Sequence, residues 1–580
     1  MSSSHRKQLA VLRTLTFYVV RQKPYVIVAI LIGIFSSVLE VAAMISLIPL
    51  SLLASGVDIP PTSRWLLFPH MLGAKPGVSF FTIAFLTLIT LRTLLGSANA
   101  AQTFRTYRML IAHFSSRAMD AFIWHLSFDN IQKQEIGHFI AVTGDEANRA
   151  AQIIMYLMRI VPATALLLFY LVTLIYQSWV FGVLLVCFFG LTVLCLLQAF
   201  RISMRLGNIQ QDQARQASTH LLESLNGIRT VRGFNAEAYV ASRYERMMDD
   251  YVRTCLKIDY INVASRAVPA LALLLVILVV ALRIDQAWFR QNLAFIFVGV
   301  MMTLRLLPLA GQLLETSMRL ISDLRAAENI GTVLEAVIAG QRRSLEEEAG
   351  APPPDAIRSI EFRDVTFRYA ENTALVLNRF NQTFQAGKSY AIVGPSGIGK
   401  SSMIDLMLKF YAPQGGEISI NGTAISAISS AWIRARVTLA EQTTRLFYDT
   451  VLRNVTFGRK ADRELGERAL RAVGIGEFVA SLPDGMETVL QYQGSNFSGG
   501  QRQRIGLARA LLLPADVLVI DEGTSALDAA SKSLVIQNIL SAYRDKIVIF
   551  VTHDHSVTEC VDEVVTLATA RQIEIKEETS

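Results

Sequence analysis

"SYAIVGPSGIGKSSMIDLMLKF", residues 389–410, decides how the second half of this chain folds. Ser389–Val393 reads as a strand, and the run from Ser401 onward reads as a helix. Between them, Gly394, Pro395, Ser396, Gly397, Ile398, Gly399, Lys400, Ser401 and Ser402 match GxxxxGK followed by Ser or Thr, in the strand-before, helix-after setting that this loop requires. Glycines there let backbone amides wrap a row of phosphates. Lys400 reaches the terminal phosphates, Ser401 offers a hydroxyl to Mg²⁺, and the helix N-terminus adds partial positive charge.

Two later segments supply what such a loop lacks. "VLVIDEGTSALD" (517–528) begins with four apolar residues, as in a strand buried on both faces, and ends in two carboxylates. Asp521 is placed to hold the Mg²⁺ shell, and Glu522 to orient or deprotonate a water attacking the last phosphate. "IVIFVTHDH" (547–555) is a second buried strand with His553 at its end, where ligands gather in open α/β sheets. Between the glycine loop and the first of these segments lies "YQGSNFSGGQRQR" (492–504), another run of small residues beside basic ones. Upstream, "IEFRDVTFRYA" alternates apolar residues at Ile360, Phe362, Val365 and Phe367, as half-exposed strands do.

The first half has a different solvent. The chain of 580 residues is 52% hydrophobic and only 18% charged, which is too apolar for a wholly soluble protein. Charge-poor stretches at 24–52, 79–104, 151–176, 178–200, 262–283 and 292–315 each approach the ~20 apolar residues that a membrane-spanning helix needs. The first begins too late and runs too long for a cleaved signal. The net charge of +7 does not point to nucleic acid: "HRKQ" near the N-terminus and "RQK" at 21–23 fit cytoplasmic flanks of the first span. Both ends of this half are then cytoplasmic, with outward loops at 53–78, near 177 and at 284–291. The polar, proline-poor stretches 105–150 and 201–261 extend the helices into the cytoplasm.

Glu40 and Arg305 are the clearest charges inside spans. They either pair, with each other or with backbone, or reach an interface, or else line a substrate cavity. Pro49 and Pro308 are candidate helix kinks. Cys187, Cys195, Cys255 and Cys560 show no ligand spacing. Residues 1–325 are thus expected to form a membrane domain and 357–580 a soluble α/β domain. The segment 326–356, with "QRRSLEEEAGAPPPDA" at 341–356, should link them.

Taken in order, these pieces resemble an ATP-binding cassette (ABC) exporter half-transporter of bacterial type, over nearly the whole chain. The resemblance implies a bundle of about six transmembrane helices followed by a P-loop ATPase that uses ATP and Mg²⁺. It makes Tyr369 the aromatic that stacks on adenine and Gln442 the glutamine that contacts Mg²⁺ and the membrane domain. His553 becomes the switch histidine, "SALD" (525–528) the D-loop and "FSGGQ" (497–501) the signature motif. "GHFIAVTGDEANRA" (137–150) and "ESLNGIRTVRGFNAEAY" (223–239) are similar to segments flanking the coupling helices. With one cassette per chain, the resemblance implies a dimer, most simply a homodimer. Ser498, Gly499, Gly500 and Gln501 of one subunit would cap the ATP held by the other. Phe497, Gln491, Tyr492 and Glu441 depart from the common pattern.

The implied activity is ATP-driven export or flipping across a bacterial cytoplasmic membrane. "SVLEVAAMISLIPLSLLA" (37–54) is similar to first spans of lipid-linked oligosaccharide transporters, which favours an amphipathic lipid or lipid-linked glycan. Export of a small or modified peptide is the alternative. The first cysteine is Cys187, so such a peptide would be processed by another protein. An ATP-gated channel or regulatory ATPase is the reading from another class.

Overall fold

The structure is a computed structural model. It describes residues 24–54, 77–126, 128–132, 134, 136–177, 179–281, 293–348, 355–369, 374–459, 462–491, 494–523 and 529–567. The basic flanks before residue 24 and most of the loops expected at 53–78 and 284–291 lie outside these residues. So do Tyr492 and the "SALD" segment. The chain divides into two compact units, residues 1–126 with 131–340, and residues 127–130 with 341–580.

Six long helices of the first unit lie where the spans are expected: α1 (Tyr25–Ala54), α2 (Val78–Asp120), α3 (Ala147–Gln177), α4 (Trp179–Asn226), α5 (Glu237–Ala281) and α6 (Leu293–Ser322). Among the described residues, Tyr25–Leu53, Val78–His125 and Ile136–Thr173 are long and apolar enough to cross a membrane. Through the apolar stretches 179–200, 275–281 and 293–304 of α4, α5 and α6, only the backbone is described. At 1.5 Å per residue, helices such as the 48-residue α4 reach about 70 Å, more than twice the ~30 Å hydrocarbon layer. The surplus length falls in the polar segments read as cytoplasmic extensions. Pro49 and Pro308 lie inside α1 and α6.

Small residues let these helices approach. A Cβ on Gly33 of α1 would lie 2.5 Å from the Pro162 ring of α3, and Ser37 Oγ donates to the Pro162 carbonyl at 3.1 Å. Farther along, Ala118, Ala147, Ala150 and Ala151 are fully buried beside Leu110, Phe114 and Ile154.

The linker expected at 326–356 is helical over most of its length: α7 runs Leu324–Glu348. Ala326, Ala327, Ile330, Val333, Leu334 and Val337 recur at helical spacing, and their buried face joins the alanine-rich core. The charged residues that follow, 341–348, are good helix formers and carry the helix on; charge alone does not end one.

In the second unit, strands β1 (Ser359–Phe367), β2 (Leu377–Gln385), β4 (Gly415–Ile420) and β5 (Thr423–Ala424) form an antiparallel sheet ordered β2-β1-β4-β5. Ile360, Phe362, Val365 and Phe367 are its buried face, with a register shift between Phe362 and Val365. The second sheet is parallel. Its order is β6-β7-β8-β3-β9, from β6 (Val437–Ala440), β7 (Val517–Asp521), β8 (Ile547–Val551), β3 (Ser389–Val393) and β9 (Glu563–Thr566). Every residue of β8 is buried, and so are the first four of β7, as expected of strands covered on both faces. The helices that matter for the site are α8 (Lys400–Met407), which follows β3, and α9 (Gly499–Leu511). In this unit Phe128 stacks on Phe410, with ring centroids 4.7 Å apart.

Candidate nucleotide site

The sheet order explains how residues far apart in sequence meet. Because β7, β8 and β3 are parallel neighbours, their C-terminal ends lie side by side. Those ends carry Asp521 and Glu522, then Thr552 and His553, then the glycine loop. The loop leaves β3 at Gly394 and enters α8 through Gly399, whose φ of +113° suits glycine. A Cβ there would also lie 2.8 Å from Val376 Cγ1.

Lys400 is buried, and its Nζ donates to the carbonyls of Gly394 at 2.7 Å and Pro395 at 3.2 Å. His553 Nε2 is 2.9 Å from the same Nζ and 3.6 Å from Glu522 Oε1. Ser401 Oγ donates to Asp521 Oδ2 at 3.5 Å. Gln442, two residues beyond β6, donates from its side-chain amide to Glu522 Oε2. Glu522 adopts a φ of +47°, left-handed for a non-glycine residue, and its amide donates to the Val551 carbonyl at 2.9 Å. The backbone bond to β8 thus holds the Glu522 side chain beside both Gln442 and His553.

Negative charge is crowded here. Burial, and then the neighbouring Glu522, push the Asp521 carboxyl up from its ordinary value. Asp405 of α8 is pushed up to about 6 by burial, with Asp521 and Glu441 adding to the rise. Asp405 was not singled out from sequence, yet it lies one helical turn beyond Ser401, on the same face of α8. A cation would relieve this crowding. Among the described residues no three His, Cys, Asp or Glu side chains form a metal cage. Mg²⁺ does not need one, because it binds through one or two carboxylates together with phosphates and water. Ser401, Asp521 and Gln442 are hard oxygen donors suited to it.

Tyr369 stands at the edge of the site, 39% exposed. Its hydroxyl is 2.7 Å from Ser402 Oγ, and its ring meets Phe367 and Tyr411 edge-on at 5.0 and 5.2 Å. Ser498, Gly499, Gly500 and Gln501 stand apart at the start of α9, where their hydrogen bonds are among themselves and to the helix. Ser498 Oγ accepts from the Gln501 amide, and Gln501 Oε1 accepts from the Ser498 amide at 2.8 Å, a capping box. Phe497 is buried, its ring 5.7 Å from Phe478 and at right angles to it, so the larger side chain is packed. Gln491 is tied in by its amide, which donates to Asn496 Oδ1 at 3.0 Å.

A second polar cluster lies among the membrane helices. Glu40 is 4% exposed, and its Oε2 accepts from Arg92 Nη2 at 2.6 Å and Nε at 2.9 Å. Tyr170 Oη donates to Glu40 Oε1 at 3.5 Å, and Arg305 Nη1 lies 4.0 Å from that oxygen. The dominant partner of Glu40 is therefore Arg92, which sequence reasoning missed because a lone arginine on α2 carries no spacing signal. Arg305 keeps half of its side chain exposed.

Fold and site together define a P-loop ATPase fused behind a helical membrane region. Residues 26–305 match the family model described as the ABC transporter transmembrane region, and residues 377–525 match the ABC transporter model. The chain belongs to the ABC transporter family, as an integral membrane protein whose cassette binds ATP. It is 30% identical over 412 residues to an ATP-dependent lipid A-core flippase of Alkalilimnicola ehrlichii, covering 69% of this chain and 68% of that protein. The flippase of Cupriavidus metallidurans is 30% identical, covering 74% and 72%, and that of Pseudoalteromonas atlantica 31%, covering 63% and 62%. The matched part therefore spans between 62% and 72% of these relatives. A bacterial Atm1-family ABC exporter with ATP bound shares the fold, with a TM-score of 0.69 at 22% identity over 95% of this chain and 94% of that one. The chain is thus an ATP-dependent transporter of exporter fold.

Proposed function

We propose that this transporter flips an amphipathic lipid or lipid-linked glycan with an anionic head group across a bacterial cytoplasmic membrane, working as a homodimer. The observation that carries the head-group reading is the cluster around Glu40. Two guanidinium groups face one carboxylate, and the half-exposed Arg305 supplies the excess positive charge. A charge held inside the membrane is costly, so an arginine in excess of the carboxylate among the described residues of this cluster suits a ligand that arrives with its own negative charge. The relatives named as lipid A-core flippases support the same class.

The cassette supplies the energy. Backbone amides of the Gly394–Ser402 loop and Lys400 bind the phosphates, and Tyr369 stacks on the base. Ser401, Asp521 and Gln442 would hold Mg²⁺, which would supply positive charge against the phosphates. Glu522 takes a proton from the attacking water; Gln442 and His553 hold its carboxylate in place. Ser498 and the amides of Gly499 and Gly500 cover the partner's ATP. Closing two cassettes on two nucleotides drives the membrane helices from inward-facing to outward-facing, and hydrolysis reverses it.

The test is movement of fluorescent lipids between leaflets of proteoliposomes. Anionic phospholipid should move with ATP, Glu522→Gln should stop it, and Arg305→Gln should raise the half-saturating concentration of the anionic lipid only. ATP-dependent uptake of a peptide panel without lipid movement would replace this reading with peptide export.

A further inference from the structure

One face of α9 is laced to the chain just beyond Gln442 by residues spaced three apart. Gln503 Nε2 donates to the Gln442 carbonyl at 3.3 Å. Gly506 packs so closely on Thr444 that a Cβ would lie 2.4 Å from Thr444 Cγ2. Arg509 donates to the Arg445 carbonyl at 3.1 Å and to the Asn454 carbonyl at 2.8 Å. Its guanidinium covers the Phe457 ring at 4.7 Å and faces the Phe447 ring at 5.9 Å. Asn454 is buried, and it accepts from the Phe447 amide at 2.8 Å, so the strand-to-helix turn that Arg509 grips is itself closed.

The consequence lies at Gln442. Its backbone carbonyl is held by α9, while its side-chain amide holds Glu522. The same helix begins at Ser498. A rigid rod of 13 residues with the phosphate-capping end at one terminus therefore bears directly on the residue that orients Glu522.

We propose that Gln503 and Arg509 are positioning residues that make the placement of Glu522 depend on where α9 sits, so that Ser498 seating on the partner's ATP aligns the Glu522 of its own cassette. The two ATP sites of the dimer are then coupled through each subunit's own α9 and Gln442. This rests on the composite-site reading given above. The seam has two separable parts. Gln503 acts on the Gln442 carbonyl, and Arg509 fixes the segment behind it. Gln503→Leu keeps the side-chain bulk and loses the donor. Arg509→Lys keeps the charge and loses the fork that reaches two carbonyls at once.

The experiment measures ATP turnover against ATP concentration for the full-length protein in lipid nanodiscs, with mant-ATP binding measured alongside. The wild type is expected to show a Hill coefficient approaching about 2, the number of coupled sites. Gln503→Leu should lower kcat by about fivefold, the scale of one hydrogen bond, with KM and nucleotide affinity within about twofold and cooperativity reduced towards 1. Arg509→Lys should do the same more weakly, and Arg509→Leu more strongly. A role confined to folding would instead lower the melting temperature and active fraction while leaving the Hill coefficient of the surviving protein unchanged, which overturns the proposal. A cooperative wild type whose Gln503→Leu variant is equally fast and equally cooperative also refutes it, leaving the composite site standing. A wild type without cooperativity in which Ser498→Arg still hydrolyses ATP removes the composite site, and the coupling falls with it.

Discussion

Asp323→Asn should stabilise the protein at neutral pH and lose that advantage in acid. Asp323 occupies the turn between α6 and α7 and is 8% exposed. Its Oδ1 is 3.8 Å from Arg149 Nη1, but the Nε of that arginine is engaged by Asp145 Oδ2 at 2.8 Å. Burial pushes the Asp323 carboxyl from 3.8 to about 6; Asp145 adds to the rise, and Arg149 and Arg319 oppose it. The folded state then binds a proton more tightly than the unfolded chain does. Its contribution to stability is full below the unfolded value of 3.8 and is lost as pH rises through about 6. Two units at 1.36 kcal/mol each set an upper bound of about 3 kcal/mol for the penalty at pH 7.5. Asn is neutral throughout and escapes most of it, so a gain of about 1–2 kcal/mol at pH 7.5 is expected once the weak Arg149 contact is given up. The assay is thermal unfolding in nanodiscs at one fixed scan rate, wild type against variant, from pH 4.5 to 8. The difference should open between about pH 5 and 7. A variant less stable than wild type at pH 7.5 would show that the Arg149 pair outweighs burial, and the reasoning would fail.

Two further substitutions test the cassette. Lys400→Ala removes the ammonium held at the mouth of the glycine loop and should weaken mant-ATP binding by at least about tenfold, the scale of one charge-assisted bond to phosphate; unchanged affinity would sink the phosphate role. Ser498→Arg should leave ATP binding within about twofold, because Ser498 lies outside its own subunit's loop, yet lower turnover by about a hundredfold or more, the cost of a lost oxyanion-type donor. Loss of binding before loss of turnover would count against that division.

How much was legible follows from what kind of signal each residue carries. Apolar runs of membrane length and the alternation at Ile360, Phe362, Val365 and Phe367 are local, so the six long helices and the strand β1 were readable. The glycine loop was readable because backbone wrapping of phosphate demands glycine at set positions. The helix α7 was misjudged because charge and a following proline cluster outweighed the spacing of Ala326, Ile330 and Val337, which only makes sense once a partner face exists. Arg92 and Asp405 escaped for a related reason. Each acquires its meaning from a neighbour on another element, Glu40 for one and Asp521 for the other, and single-sequence reasoning has no access to such pairs. That Asp521, Glu522 and His553 come together was legible despite similar distances in sequence, because strand ends in a parallel sheet converge by rule.

The capping box at Ser498 raises a chemical question: whether a hydroxyl already used to close its own helix can also serve a phosphate. A serine hydroxyl has one donor and two acceptor sites. In the capping box Ser498 Oγ accepts from the Gln501 amide, which consumes an acceptor and leaves the O–H to donate. The cap satisfies the third amide of α9. The first two, from Gly499 and Gly500, have no acceptor within the helix. A Cβ on Gly499 would meet nothing within 4 Å, so a ligand can approach. Capping therefore prepares the site. It fixes the hydroxyl beside the two amides at the positive end of the helix dipole, an arrangement that would suit the phosphate proposed to be covered there without reorganisation. Gln501→Leu removes the reciprocal half of the box and leaves all three donors in the chain. It should lower turnover by loosening Ser498 while sparing nucleotide affinity, and an unaltered kcat would show that the box serves helix stability alone.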